Sequence, residues 1–205
     1  MPYRSSDKTR RKKDAKRTAM MQAAVRVFAE KGFYAATVRD IVHAADVAIG
    51  TFYFYFPDKE TLFVHLYEET ADFLLQTIYQ AVNGKKEIRE QIKHGIQAYI
   101  NIAVFEPAII HLLLVGGVGA VPSLTTKRNS FRERLLKIWQ RPLDEAVGQT
   151  IAEQNTFISA AAIAGACDEV VLQLLARPNP DIAAETAQPA LIQFILNAIG
   201  LNQST

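Results

Sequence analysis

The sequence has one cysteine, Cys167, and one tryptophan, Trp139, among 205 residues. A lone cysteine excludes an internal disulfide framework and fits a reducing compartment. No apolar run approaches the ~20 residues that span a bilayer. No stretch of signal-peptide type follows the basic N-terminus. These two absences lead us to expect a soluble, intracellular protein. The period-two alternation of a strand is missing throughout. Histidine and cysteine never fall at metal-ligand spacing, so neither a metal nor a cofactor is expected. The stretch Gly116-Gly117-Val118-Gly119-Ala120 is glycine-rich. It has no strand before it and Pro122 after it, and so lacks the context of a dinucleotide- or phosphate-binding loop. No Ser/His/Asp, paired-carboxylate or Cys/His arrangement can be argued from spacing, so an enzyme is not expected.

What is present is an uneven charge. The net charge is +2, but residues 1–60 hold twelve Lys/Arg against seven Asp/Glu, and the remainder eleven against fourteen. The first seventeen residues alone carry Arg4, Lys8, Arg10, Arg11, Lys12, Lys13, Lys16 and Arg17 against Asp7 and Asp14. A cationic end on a slightly acidic body suits a polyanion, although a solvated tail would look the same. Residues 1–15 are therefore expected to form a flexible basic arm. A membrane surface is a second possible partner, as in a helical interaction module, but the arm lacks the interleaved large apolar residues of an amphipathic membrane helix.

The rest reads as helix, about nine in all. Met21, Ala24, Val25 and Phe28 repeat at helical spacing over Thr18 to Lys31, and Gly32 supplies a stop. Thr37 can cap a short helix whose buried stripe is Val38, Ile41, Val42 and Ala45, while Asp40 favours its positive end. After the break at Ala45-Asp46-Val47 comes a second short helix, Ala48 to Tyr55, ended by Pro57. Long helices follow to Asn83-Gly84, over 85–105, from Ser123 past Trp139 with a kink or break at Pro142, over 156–176 and over 180–199.

Two short helices joined by a tight turn need flanking helices for stability, and that arrangement presents the second short helix outward, as entry into a major groove requires. At 100° per residue, Phe52 and Phe56 share one side and can fill the core. Tyr53, Phe54 and Tyr55 cannot all follow them, and part of this aromatic run must lie near the surface.

Residues 37–62, TVRDIVHAADVAIGTFYFYFPDKETL, resemble the helix-turn-helix of the TetR family of bacterial regulators, and AAVRVFAEKGFYAAT before them resembles its lead-in helix. The resemblance implies an all-α fold with a helix-turn-helix domain over 16–60, its core at 37–56, and a helical effector-binding and dimerisation domain over 61–205. It implies a regulator, by family habit a repressor, that works in the bacterial cytoplasm and on the nucleoid when bound to DNA. The partner would be a double-stranded, pseudo-palindromic operator. By matching position, Thr37, Tyr53 and Lys59 would contact phosphates. Ala48, Ile49, Gly50, Thr51 and Phe54 would face the groove, and Arg39 would reach the backbone or a base edge. Asp46 replaces the usual turn glycine, and aspartate tolerates the left-handed conformation needed there. Ile49 replaces a residue that is often polar and can give only apolar contact to a thymine methyl.

In the last two helices a broad apolar arc and a run of small residues exceed what a surface helix needs. A homodimer is expected through Ala161, Gly165, Leu172, Ile192, Leu196 and Ile199. The middle helices resemble the family's effector region. A small hydrophobic effector could be lined by Phe63, Tyr67, Tyr99, Phe105, His111, Phe131, Trp139 and Phe157, although aromatics at helical spacing more often form plain core. Cys167 reads as buried and inert. Asp168-Glu169 reads as a structural cap or interface pair.

Overall fold

The computed structural model describes residues 7–116 and 121–201, with side chains from Asp14 onward. Arg4 and its neighbours in 1–6, and Gly117 to Ala120 of the glycine-rich stretch, lie outside the described residues. Nine helices occur among those described, and no strand. They are α1 (Asp7–Ala35), α2 (Val38–Ala44), α3 (Ile49–Tyr55), α4 (Lys59–Asn83), α5 (Ile88–Phe105), α6 (Pro107–Leu114), α7 (Leu124–Ala146), α8 (Thr156–Leu175) and α9 (Pro180–Ala198). The all-helical expectation holds.

Part of the expected arm is helix: from Asp7 onward it is the first section of α1. Lys, Arg and Ala are good helix formers, and neither glycine nor proline interrupts the chain until Gly32. Gly32 sits at φ 73 and kinks α1, so that Phe33 to Ala35 add a last turn in a new direction. Positive φ is cheap for glycine alone.

Two compact units form, Met1–Glu69 with His111–Lys127 and Thr70–Ile110 with Arg128–Thr205. The first contains the segment expected as helix-turn-helix domain, together with the start of α4 and the stretch from His111. In it α1 buries Met20, Met21, Ala23, Ala24, Val27 and Phe28, and α2 packs on α1 and α3 on α2. The Phe28 and Phe33 rings meet Phe63 edge-on at 4.9 and 5.1 Å. Phe52 and Phe56, one turn apart, are both buried, as their spacing required. Each such ring contributes about 2 kcal/mol by leaving water.

In the second unit α5 packs against α9 and α8, and α8 against α9. The three helices bury Ile92, Ile96 and Ile100 of α5, Ile163 and Val171 of α8, and Leu191, Ile192, Ile195 and Leu196 of α9. Ala160, Ala164 and Cys167 are buried among them, and burial pushes the Cys167 thiol well above its ordinary pKa. Over α8 an 18-residue window reaches a mean hydropathy of 1.6, long and apolar enough by length and composition to cross a membrane. The expectation of no such run does not hold, because Asp168 and Glu169 break the run to the eye while the rest of α8 keeps the mean high. Asp168 is held by the Tyr99 hydroxyl, which donates to it at 2.5 Å, and by Arg132. α7 continues through Pro142 to Ala146, with Leu143 buried beyond the proline.

Gly95 fixes how closely α5 approaches its neighbours. A Cβ there would lie 2.6 Å from the Trp139 indole and 2.8 Å from Val82. Gly95→Ala is expected to lower stability by about 1–3 kcal/mol through overpacking. For the monomeric chain, Gly165→Ala, where a Cβ meets nothing within 4 Å, is expected to raise it by up to about 1 kcal/mol through helix propensity. Urea unfolding of both variants checks the pair.

Candidate nucleic-acid interface

α2 starts with a reciprocal cap. The Thr37 hydroxyl accepts from the Asp40 amide at 3.1 Å, and Asp40 accepts from the Thr37 amide at 2.9 Å and from its hydroxyl at 2.8 Å. The Lys31 ammonium, 2.7 Å away, closes the cluster. Its hydrogen bond, with those from Thr37, lowers the Asp40 pKa from 3.8 to about 2. The amide and hydroxyl of Thr37, expected to donate to a phosphate, are thus already committed to Asp40.

Lys59 also differs from expectation. Its ammonium donates to the carbonyls of Phe33, Tyr34 and Ala36 at 2.7, 3.2 and 2.8 Å and lies 4.6 Å from the Phe33 ring centroid. An ammonium has three N–H donors, and here all three hold the kinked end of α1. The sequence gives no hint of this, because the orphan carbonyls exist only once Gly32 has turned the chain.

The turn between α2 and α3 runs through Asp46 at φ 52, the left-handed conformation expected for it. At α3 the N-cap Ala48 and the helical Ile49, Gly50, Tyr53 and Phe54 are exposed, and Thr51 is half-buried. Phe54 is 66% exposed, Tyr53 55% and Ile49 45%. A Cβ on Gly50 would meet nothing within 4 Å, so internal packing does not require glycine there. Arg39 is exposed on α2. The expected groove-facing residues, all exposed but half-buried Thr51, therefore lie in one unit. Three large apolar side chains left in water on a seven-residue helix point to a partner surface.

The expected effector residues fall in both units. Phe63 and Tyr67 are buried in the first unit, where His111 borders a pocket of about 200 Å³ with Phe28, Phe33 and Phe63. Tyr99, Phe131 and Trp139 are buried in the second unit, whereas Phe105 and Phe157 are exposed at 79% and 53%. Tyr99 is committed to Asp168, and burial, with that charge beside it, raises its pKa well above the ordinary value. Trp139 fills the space above Gly95. Most of these rings are core or surface, not cavity wall.

The expected dimer residues also separate. Ile192, Leu196 and Ile199 are buried within the chain, because α9 turns that side toward α5 and α8. Ala161, Gly165 and Leu172 are half-buried on α8. Beside them the large exposed apolar residues of the last two helices are Phe157, Ile158, Ile182 and Phe194. The last helix is apolar over a broad arc, and spacing alone does not say which side of that arc the single chain buries.

Residues 20–66 match the family described as bacterial regulatory proteins, tetR family. Among curated relatives, the chain is 29% identical to the HTH-type transcriptional regulator HbdR of Aromatoleum sp. (strain CIB), over 42% of this chain and 38% of that protein. It is 28% identical to the fatty acid metabolism regulator protein of Bacillus subtilis (strain 168), over 45% of this chain and 47% of the relative. The chain thus spans less than half the length of these relatives. Among solved structures, the transcriptional regulator FadR from Bacillus subtilis in complex with stearoyl-CoA superposes with a TM-score of 0.76. It is 20% identical, covering 90% of this chain and 98% of that one, a likeness of fold.

Two outcomes follow from the geometry. The depressed Asp40 pKa means its contribution is fully present above about pH 4 and is lost as pH falls through about 2. Asp40→Asn should remove that part of the acid unfolding profile followed by circular dichroism. Lys59→Met should lower stability by about 1–3 kcal/mol by leaving the carbonyls at the end of α1 unpaired, as read by urea unfolding.

Proposed function

We propose that the chain, whose residues 20–66 match the family of bacterial regulatory proteins called tetR, is a DNA-binding transcriptional repressor of that family. It grips a pseudo-palindromic operator as a homodimer and releases it when a small, largely hydrophobic effector occupies the helical body. The observation that carries this reading is the exposed face of α3, with Ile49, Tyr53 and Phe54 in solvent around a glycine that internal packing does not need.

In this reading α3 enters the major groove. Gly50 lets its backbone approach the bases, and Ile49 and Phe54 give apolar contact to thymine methyl groups. Thr51 at the edge of that face is a base-reading hydroxyl. The Tyr53 phenol and Arg39 meet the sugar-phosphate backbone and fix register without reading sequence. Lys59 acts one step back by holding the end of α1, and Asp40 and Lys31 hold the start of α2. Lys59→Met should therefore leave the salt dependence of binding unchanged. The site of action is the bacterial cytoplasm, at the nucleoid.

The second copy would dock on α8 and α9. Gly165 faces open space in the single chain, and Phe194 lies 65% exposed. A symmetric partner covering both accounts for small residues that the chain itself does not use, and a twofold axis pairs two reading helices about one DNA turn apart.

The test starts with duplexes selected from a randomised pool, titrated by fluorescence anisotropy. Phe54→Ala should weaken binding to the selected duplex by about 10- to 100-fold with little effect on unselected DNA. Arg39→Ala should weaken both and lower the slope of log affinity against log salt by about one. Failure to enrich any sequence, with equal binding to heparin, would overturn the proposal. Phe194→Asp should convert a dimer to a monomer in sedimentation and weaken operator binding in parallel.

A further inference from the structure

The first unit holds a pocket of about 200 Å³ whose described lining residues all belong to that unit. α1 contributes Phe28, Ala29 and, at and beyond its kink, Gly32 and Phe33. α4 contributes Phe63, and the end of α6 with the residues after it contributes His111 and Val115. Phe63 and His111, expected at an effector cavity of the helical body, thus meet in the unit that carries α3.

The walls are aromatic. Phe28 lies 5.9 Å from Phe33 and 4.9 Å from Phe63, and Phe33 lies 5.1 Å from Phe63, both contacts to Phe63 being edge-on. An aromatic guest extends such a cluster by further edge-to-face contact, which a saturated ring of the same size does not. An apolar cavity of about 150 Å³ takes one benzene ring, so the space here suits one ring with a small substituent. Among the described lining residues only Tyr34 and His111 carry polar side-chain atoms, and Tyr34 is 76% exposed. The half-buried His111 imidazole is then the polar group of the wall. A neutral imidazole has one donor and one acceptor nitrogen, and a hydroxyl can pair with either.

Charge narrows the guest further. No Lys, Arg, Asp or Glu stands among the described lining residues, so an ionised guest would leave water without a counter-charge. The Lys59 ammonium, 4.6 Å from the Phe33 ring centroid, already occupies that ring and disfavours a cation beside it. What fits is a small neutral ring bearing a hydroxyl.

We propose that this pocket binds a small neutral phenol, its ring against Phe28, Phe33 and Phe63 and its hydroxyl on His111, and that the bound phenol clamps the kinked end of α1. Gly32 and Phe33 line the pocket, and the carbonyls of Phe33 and Tyr34 hold Lys59, so one stretch of chain serves both. A ligand that requires the kinked arrangement stabilises it by mass action. It strengthens the closure of the segment that presents α3, and so it tightens DNA binding. The site stands on the first unit alone; only that last effect rests on the DNA-binding reading above.

The experiment titrates the full chain with phenol, toluene, cyclohexanol and benzoate by isothermal calorimetry at neutral pH. Phenol should bind at least about fivefold more tightly than each of the other three. His111→Leu should weaken phenol by about tenfold and leave toluene unchanged. Val115→Trp, from an exposed position on the rim, and Ala29→Phe, from the α1 wall, fill the pocket; whichever keeps a native circular dichroism spectrum should lose phenol binding. Saturating phenol should slow hydrogen exchange of the Ala36 amide, which donates to the Gly32 carbonyl at 3.2 Å, by at least about threefold. It should tighten the selected duplex by about threefold in the parent chain and not in His111→Leu at the same concentration. Equal affinity for phenol and any of the other three compounds would overturn the proposal. So would phenol binding that survives both His111→Leu and the folded filling variant, unchanged Ala36 exchange, or a duplex that saturating phenol loosens or leaves unaffected. Failure to select any duplex while phenol binds as stated would sink the DNA reading and leave the site standing. A selected duplex with no saturable phenol binding below about 10 mM would do the reverse.

Discussion

Three carbonyl oxygens at the end of α1 meet one ammonium, and the first unit is organised around that meeting. Gly32 turns the chain out of the helix, which strands the carbonyls of Phe33, Tyr34 and Ala36. Lys59, the first residue of α4, collects all three and rests against the Phe33 ring. Between those two points lie α2, the turn and α3, so the contact closes the segment that presents the α3 face. Arg17 of α1 does similar work, reaching Glu69 at 3.0 Å and lying 5.8 Å from the Phe56 ring centroid.

The α3 face can therefore be apolar and exposed without collapsing. Phe52 and Phe56 anchor the helix from below, and the capping cluster of Thr37, Asp40 and Lys31 fixes the start of α2 before the chain reaches the left-handed turn at Asp46. Ile49, Tyr53 and Phe54 are left with no space in the core. A helix of seven residues has too little surface to hide six aromatic or branched side chains on one side, so the division between anchor and outward face follows from its length.

Much of this was legible in the sequence. The helix order, the break at Ala45-Asp46-Val47 and the burial of Phe52 and Phe56 follow from 100° periodicity and local turn chemistry, whereas the outward turn of Phe54 came only from the family resemblance. Interactions that depend on tertiary geometry were not legible. Lys59 looks like a free surface cation until the Gly32 kink supplies its acceptors, and Thr37 looks like a free donor until Asp40 is seen to take both its protons. In the body, periodicity shows a broad apolar arc on α9 but not which part of it faces α5, so Ile192, Leu196 and Ile199, expected at a dimer interface, are found buried within the single chain. Only Phe63 and His111 of the expected effector residues border a pocket, because size and ring type do not distinguish a wall from a plug. Trp139 is a plug because Gly95 lets it be one.

The single thiol has a practical consequence. Cys167 lies 1% exposed on α8, and burial keeps it protonated at neutral pH. Thiolates are what alkylating reagents and disulfides attack, so the folded chain behaves as a cysteine-free background. A cysteine introduced at an exposed position would be the sole site to take a maleimide dye or a spin label, and label uptake at Cys167 itself would mark unfolded protein.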